Sequence, residues 1–538
     1  MSVPIQEVPD AARDDDARLE SLGYKPQLSR VLGLFANFSV AFTYLSPMVG
    51  IYSLFVLGVG TGGPGYLWLT LVPLAGMLLV ALVFGELASH YPVAGALYQY
   101  SKFNVGPRYG WFVGWFYGIA LLVTVASVDT GSVGYITALI NNWAHTSLDP
   151  ANHVTILVVT VLLLAVQTTL NTTGAKVMGR VAQFGVYVEL AGTVGIAIIL
   201  AIHGFHHSLG FLFSTQDVQH AAANPLSLDF GGHWLTGAAL IAVLAPVYIF
   251  FGFESAGDIS EETKEAGRLV PRSMRLSLLG GGAASLVLTG ALLLAMPGGV
   301  GDTVKNGGVT YILGSLPSGL QDVLLIMIIF AFFSCGSSVQ GAGSRLAFSY
   351  ARDGSLPGSA WVARVHARFR TPVNALVAGS VVTLLFVLLV FASPDHDIKI
   401  GFITYPAKTN ALLALVSFAT SGIYLSFLMT VLGAIVARRR GWIPQGSFRL
   451  GRWAWPVSVG AAVYLALILL DIVYPSGVTS PRALFNIDWI TLAVMAVVAV
   501  VGVAMFALRR TESSGVAAVP PGPAPDAPAD AIETAPAD

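Results

Sequence analysis

The chain has 538 residues, of which 55% are hydrophobic and only 11% charged, and its formal net charge is −1. A water-soluble chain of this length carries about 25% charged residues, so composition excludes a soluble globular fold, and with no basic cluster interleaved with aromatics it gives no sign of a nucleic-acid partner. Cys335 is the single cysteine, which excludes an intrachain disulfide and a thiolate metal site; it reads as a small buried core residue.

In chain order, residues 1–25 form a polar tail with the acidic run Asp14-Asp15-Asp16 and no cleavable signal pattern. Apolar runs then recur at about 31–57, 66–89, 110–140, 153–171, 180–203, 234–257, 274–297, 320–346, 373–392, 409–437, 453–474 and 487–508. Each is long enough to cross roughly 30 Å of hydrocarbon as a helix. The runs are continuous rather than alternating, so a β-barrel is excluded. The expected fold class is an all-α integral membrane protein with twelve transmembrane helices. Residues 511–538 are rich in Ala and Pro, the composition of a disordered tail.

Lys and Arg fix the expected orientation. With both termini in the cytoplasm, all 28 of them except Lys305, Lys399, Lys408 and Arg482 fall on the cytoplasmic side, as the positive-inside rule demands. The expected location is the cell membrane, with several passes.

Two runs are interrupted. The first reads "FSVAFTYLSPMVGIYSLF", with Ser46-Pro47 and Gly50 at mid-depth; the sixth carries Pro246 and the break Gly252-Phe253-Glu254. Proline removes a backbone donor and clashes with the preceding turn, and glycine weakens a helix further. Counted in two sets of five, both breaks fall on the first span of a set. Interrupted helices at matching positions of two halves are a sequence pointer to a transporter's central site.

Taken together and in order, "GYKPQLSR", "GGPGYLWLTLVPLAGMLLVALVFGELASHYPVAGALYQY", "SVDTGSVGYI", "NTTGAKVMGR", "FFGFESAGDISEETKEAGRLVPRSM" and "SRLAFSYARDGSLP" cover most of residues 23–375. The chain resembles the amino acid–polyamine–organocation permeases on these stretches, and within them the amino acid/choline transporter branch of GABA, choline and related amine permeases. The resemblance implies a five-plus-five inverted repeat, the LeuT-like fold, with halves at 26–203 and 234–437, two further helices in 453–508, and alternating access. Many relatives place Gly-Ser-Gly at the first break, where this chain has Pro47-Met48-Val49-Gly50.

A broken helix exposes N–H groups at one new end and C=O groups at the other, each reinforced by the helix dipole. Amides around Val49, Gly50 and Ile51, beside Ser46, are candidates for a substrate carboxylate. Carbonyls near Phe250–Phe253, including that of Gly252, are candidates for an ammonium. The aromatic faces of Tyr44, Tyr248, Phe251, Phe253 and Phe333 attract the same cation, and Ser337, Ser338 and Gln340 offer polar contacts from span 8.

Three acids lie deep in spans: Asp129, Glu189 and Glu254. Desolvation disfavours the charged form of an unpaired carboxylate, and one that is neutral or ionised according to access can couple transport to protons. The resemblance makes Glu189, on the span 5 position facing span 1, the first candidate proton carrier. Asp129 is a second, or a partner for the substrate ammonium. Glu254 corresponds to a family glutamate at the inner side of the pathway. Sodium coupling is the alternative, with Ser337, Ser338 and span 1 carbonyls as an oxygen cage. Glu86, at the end of span 2, reads as a gating or loop contact.

The expected function is a secondary transporter of a small amino acid or amine, with that substrate, a proton or sodium ion and the lipid bilayer as partners and no cofactor. A membrane enzyme needs a clustered constellation such as HExxH, whereas six of the ten histidines (His145, His153, His206, His207, His220 and His233) fall in loops. A channel lacks a filter-like repeat here, and a primary pump lacks the GxxxxGK[ST] loop.

Overall fold

A computed structural model describes residues 10–215, 218, 232–388, 398–400, 403–405, 411–474 and 489–509. The expected tail 511–538 and the edges of spans 9, 10 and 12 lie outside these residues. Among the described residues, ten helical stretches are long and apolar enough to cross a membrane, and two shorter apolar helices, Trp234–Ile249 and Val373–Leu388, accompany them. All lie on the apolar runs of the sequence. A small antiparallel pair, β1 (Ile398–Ile400) and β2 (Ile403–Tyr405), joins Lys399 to Thr404 and was not expected from the hydropathy.

The N-terminal segment is not wholly a tail. It contains helix α1 (Asp10–Ser21), whose Leu19 is buried with Tyr24 and Val93. Asp15 Oδ2 accepts the Ala266 amide at 2.8 Å, and Arg30 Nε donates to Asp16 Oδ1 at 2.7 Å. A run of three acids reads as solvated, but two of them here find donors on neighbouring segments.

The first span is two helices, α2 (Leu34–Leu45) and α3 (Pro47–Gly62), separated by Ser46 at φ 37°. The unwinding expected over Ser46–Gly50 is thus confined to one residue. The reason is that Pro47 takes the first position of the second helix, where a missing N–H costs nothing and a fixed φ is already helical. In the sixth span the helix ends at Ile249, and Phe250–Glu254 is irregular, with Gly252 at φ 110°, before the short turn Ser255–Asp258. For the stretch 34–62, 89% of the apolar window is enclosed by protein, against 17% for the peripheral helices His153–Thr172 and Ile490–Leu508. Irregular backbone at membrane depth survives only with such enclosure, because lipid offers no hydrogen bonds.

Around these breaks stand α4 (Leu71–His90), α6 (Pro107–Ala144), α7 (His153–Thr172), α8 (Ala175–His203), α12 (Ala266–Leu294), α15 (Ser318–Arg352), α17 (Val373–Leu388) and α18 (Ala411–Arg439). α2 packs on α8, α12 and α15, and α6 on α15 and α18. The face that carries α1 is tied by ion pairs. Arg345 grips Glu262 through two bonds of 2.9 Å with both side chains fully buried, and Arg352 meets Glu261 at 2.9 Å and Lys102 meets Asp353 at 2.6 Å. Glu86 pairs with Arg438 and accepts the Leu450 amide at 2.8 Å, a contact to the loop after α18. Removing one partner of such a buried pair costs about 3–5 kcal/mol, so these ties fasten the segments that meet on that face.

The two breaks touch. A Cβ on Gly252 would lie 2.7 Å from the Leu45 backbone nitrogen, and one on Gly50 would lie 2.5 Å from Ile249 Cγ1. Gly252→Ala therefore meets both a left-handed backbone position, worth roughly 1–2 kcal/mol, and a backbone clash. The expected outcome is a lower melting temperature in detergent and loss of uptake. Gly134→Ala, which adds a Cβ with nothing within 4 Å, is the control expected to stay near wild type; equal behaviour of the two variants would contradict the contact.

Candidate functional site

Ser46 organises the first break. Its hydroxyl accepts the Val49 amide at 3.3 Å and its carbonyl accepts the Gly50 amide at 3.1 Å, while Ile51 lies inside α3, where N–H groups bond the carbonyl four residues back. The amides of Val49, Gly50 and Ile51, expected to hold a substrate carboxylate, are thus already engaged. The Met48 amide, at the positive end of α3, faces Glu189 instead. Glu189 is 1% exposed, lies within reach of the Ser46 hydroxyl and the Met48 amide, and neither of its oxygens closes a hydrogen bond among the described residues. α8 can come this close because Gly185 and Gly192 flank Glu189; a Cβ on Gly185 would lie 2.1 Å from Ser334 Oγ and one on Gly192 3.1 Å from Met48 Sδ.

The second break is capped by its own acid. Glu254 Oε2 accepts the Gly252 amide at 2.7 Å, and Oε1 accepts the Tyr117 hydroxyl at 3.2 Å. Tyr117 also reaches Asp258 Oδ2 at 2.8 Å, so two fully buried carboxylates converge on one phenol. A carboxylate inside this span is thereby explained locally, because it satisfies a donor that the helix break leaves open. The Gly252 carbonyl accepts both the amide (3.1 Å) and the hydroxyl (2.7 Å) of Ser255. The carbonyls of Phe250 and Phe251 stand at the negative end of the helix that closes at Ile249.

Between the two breaks lie aromatic rings. Tyr44 and Phe251 meet edge-on at 6.1 Å, and Phe251 and Tyr248 at 5.4 Å. Tyr248 bonds Ser127 of α6 at 3.1 Å, and Cys335 Sγ donates to the Tyr44 carbonyl at 3.3 Å. Phe253 is not in this group; it packs with Phe84 and Phe427 at 6.0 and 5.7 Å.

The polar face of α15 is rotated from the expected one. Ser338 meets Thr43 of α2 at 2.7 Å, and Ser334, one turn earlier, is buried against α8. Ser337 and Gln340 point to α7 and α17, where the Asn171 amide donates to the Ser337 carbonyl and Gln340 Oε1 at 2.9 and 2.8 Å, and Gln340 Nε2 donates to Thr168 and Ser380 at 2.8 and 3.1 Å. Phe333 is only partly buried and meets Phe330 at a tilt, itself against the exposed Phe184. Successive residues step about 100° around a helix, so with Ser334 and Ser338 turned to α8 and α2, Ser337 and Gln340 bond Asn171 of α7 and lie, with Phe333, off the breaks. The cage expected from Ser337 and Ser338 therefore keeps only Ser338, joined by Thr43 and Ser334. Asp129 is likewise engaged away from the breaks, accepting Gln167 Nε2 of α7 at 2.8 Å.

Tyr117 and Asp258 escaped the sequence reading. Asp258 was legible as the acid one helical turn beyond Glu254, whereas nothing local singles out one tyrosine in an aromatic span. Chemically, the arrangement joins a positive helix end, a negative helix end, three aromatic faces and an unpaired carboxylate. No set of three or more His, Cys, Asp or Glu side chains among the described residues forms a metal site.

Comparison with known proteins finds permeases along most of the chain. The profile of the family described as Amino acid permease matches residues 32–500. The amino-acid permease BAT1 of Arabidopsis thaliana is 25% identical over 517 residues, covering 90% of this chain and 92% of that protein. An uncharacterised amino-acid permease of Schizosaccharomyces pombe, C74.04, is 27% identical over 474 residues, covering 86% and 80%. The thiamine transporter thi9 of the same yeast is 25% identical over 540 residues, covering 93% and 85%. Its family is one of membrane permeases and not of enzymes, and the chain is a multi-pass membrane protein that belongs to the amino acid permease family.

Proposed function

We propose that this protein is a secondary transporter that moves a small ammonium-bearing substrate, an amino acid or an amine, by alternating access and couples the movement to protons through Glu189. The chain would cross the cell membrane twelve times with both termini in the cytoplasm, as a five-plus-five inverted repeat of the LeuT-like type. The observation that carries the reading is the contact of two broken helices at Ser46 and Gly252, with an unpaired carboxylate at the positive end of one of them. Interrupted helices that meet at mid-depth offer oppositely charged ends to a zwitterion, and Tyr44, Tyr248 and Phe251 suit its cation. The ion pairs on the face bearing α1 correspond to a closed inner side, and opening would separate Arg345 from Glu262 and Lys102 from Asp353.

A second reading has its own support. Ser338, Thr43 and Ser334 gather hydroxyls around Gly185, one helical turn before Glu189, an oxygen set that suits a sodium ion. Both readings use Glu189, so the informative comparison is wild type against Glu189→Gln in proteoliposomes without sodium, with and without an inward proton gradient. Under proton coupling, wild type accumulates substrate only with the gradient, and Glu189→Gln loses accumulation yet still exchanges labelled for unlabelled substrate. Uptake that requires sodium and ignores the gradient contradicts proton coupling.

For the substrate, a thermal-shift and uptake panel over GABA, choline, ethanolamine-like amines, α-amino acids, thiamine, sugars and organic anions is expected to yield hits among ammonium or other organic-cation compounds. The organic cation enters the panel because one relative is named a thiamine transporter. Tyr44→Ala and Phe251→Ala are each expected to weaken the hit by about 2- to 30-fold, from the 0.5–2 kcal/mol of a cation–π contact. Stabilisation only by sugars or organic anions rejects the class.

A further inference from the structure

Asp129 is a buried acid for which the proposed transport cycle has no use. It is 1% exposed, and its Oδ1 accepts Gln167 Nε2 at 2.8 Å; Gln167 is fully buried. The other two acceptors of this pair, Asp129 Oδ2 and Gln167 Oε1, have no donor among the described residues. A carboxyl group and a primary amide have complementary edges. The amide N–H bonds one carboxyl oxygen, and a carboxyl O–H bonds the amide oxygen. One proton on Asp129 would therefore satisfy both orphaned oxygens, whereas an ionised Asp129 would leave both buried and unpaired.

The surroundings favour a proton over a larger ion. A Cβ on Gly336 of α15 would lie 2.4 Å from Gln167 Nε2 and 2.8 Å from Asp129 Oδ1, so the α15 backbone is packed directly onto the pair. A proton needs no volume, while a metal ion needs a shell of several oxygens. The titratable group that faces Asp129 from α15 is the Cys335 thiol, which is committed to the Tyr44 carbonyl. α7 beyond His153, and α17, contain no titratable residue. One turn along α7, Asn171 makes the next contact to α15 through Ser337 and Gln340. Gln167 and Asn171 thus form a seam of neutral amide contacts, which Asp129 continues only when it is neutral.

We propose that Asp129 binds a resident proton, shared with Gln167 as a cyclic acid–amide pair that fastens α6 to α7 against α15, and that this proton is not the transported one. The residues concerned sit on α6, α7 and α15, and the bonds of Asp129 and Gln167 go to neither broken helix, unlike that of Ser127 to Tyr248. The inference extends the reading of Glu189 as the coupling group, and its spectroscopic test stands whether or not that reading holds.

The test uses the full chain and the variants Asp129→Asn, Asp129→Leu and Gln167→Leu. Asn is the isostere of the protonated acid and can donate to Gln167 Oε1. Infrared spectra of wild type are expected to show a protonated-carboxyl C=O band that Asp129→Asn lacks and that shifts in Gln167→Leu. Thermal stability of Asp129→Asn is expected to match wild type, and its uptake is expected to keep the wild-type pH profile. Asp129→Leu is expected to be less stable. If Asp129→Leu fails to fold, Gln167→Leu supplies the infrared and stability readouts. Absence of the band in wild type overturns the proposal, as does loss of gradient-driven accumulation with retained exchange in Asp129→Asn. Stabilisation of wild type by sodium that Asp129→Asn lacks would make the site a cation site and overturn it too.

Discussion

Every backbone N–H and C=O inside a membrane has to find a partner within the protein, and the rest of this structure follows from how two broken helices meet that demand. A continuous helix satisfies itself and can face lipid on most of its surface, as His153–Thr172 does. A broken one exposes donors and acceptors at mid-depth, so it has to be enclosed, and the stretch 34–62 is enclosed. Enclosure in turn requires close approach. That is what the small residues provide: Gly252 lies against Leu45, Gly50 against Ile249 and Gly185 against Ser334. A glycine in a lipid-facing helix is only a weak point, whereas here it lets one backbone lie against another.

The same demand sorts the buried acids into different tasks. Glu254 is bonded to the amide of the break in which it sits and to Tyr117, so it completes the fold of the sixth span. Glu189 lies within reach of the positive end of α3, and neither of its oxygens closes a hydrogen bond among the described residues. Asp129 sits in a seam of amides between unbroken helices. Three carboxylates that look alike in a hydropathy profile thus differ in what surrounds them, and the proposed coupling role of Glu189 and resident proton of Asp129 rest on that difference.

Much of the architecture was legible in the sequence because it rests on signals that need no tertiary knowledge. Apolar length located the spans, and Ser46-Pro47 and Gly252 located both breaks. The extent of the first break was overestimated because Pro47 acts as a helix start and not as a helix interrupter. The rotation of α15 was not legible: Phe333, Ser337 and Gln340 were assigned to the breaks, while Ser334 and Ser338 lie toward α8 and α2. In a soluble helix the polar stripe marks the outward face. In a membrane helix apolar residues serve both lipid and core, so a serine says only that some neighbour exists. The role of Asp258 and Tyr117 depends on α6 and the sixth span meeting across 141 residues of sequence, and no local pattern encodes that meeting.

The central claim is that substrate binds between the two helix ends that meet at Ser46 and Phe250–Gly252. A cryo-electron microscopy structure of the full chain in lipid nanodiscs, with the compound selected by uptake bound, tests it most directly. Density for the ligand bounded by Tyr44, Ser46, Tyr248 and Phe251, with both spans interrupted as described, is the result predicted. Ligand density elsewhere in the bundle, or continuous helix through Ser46 or through Phe250–Glu254, would contradict it.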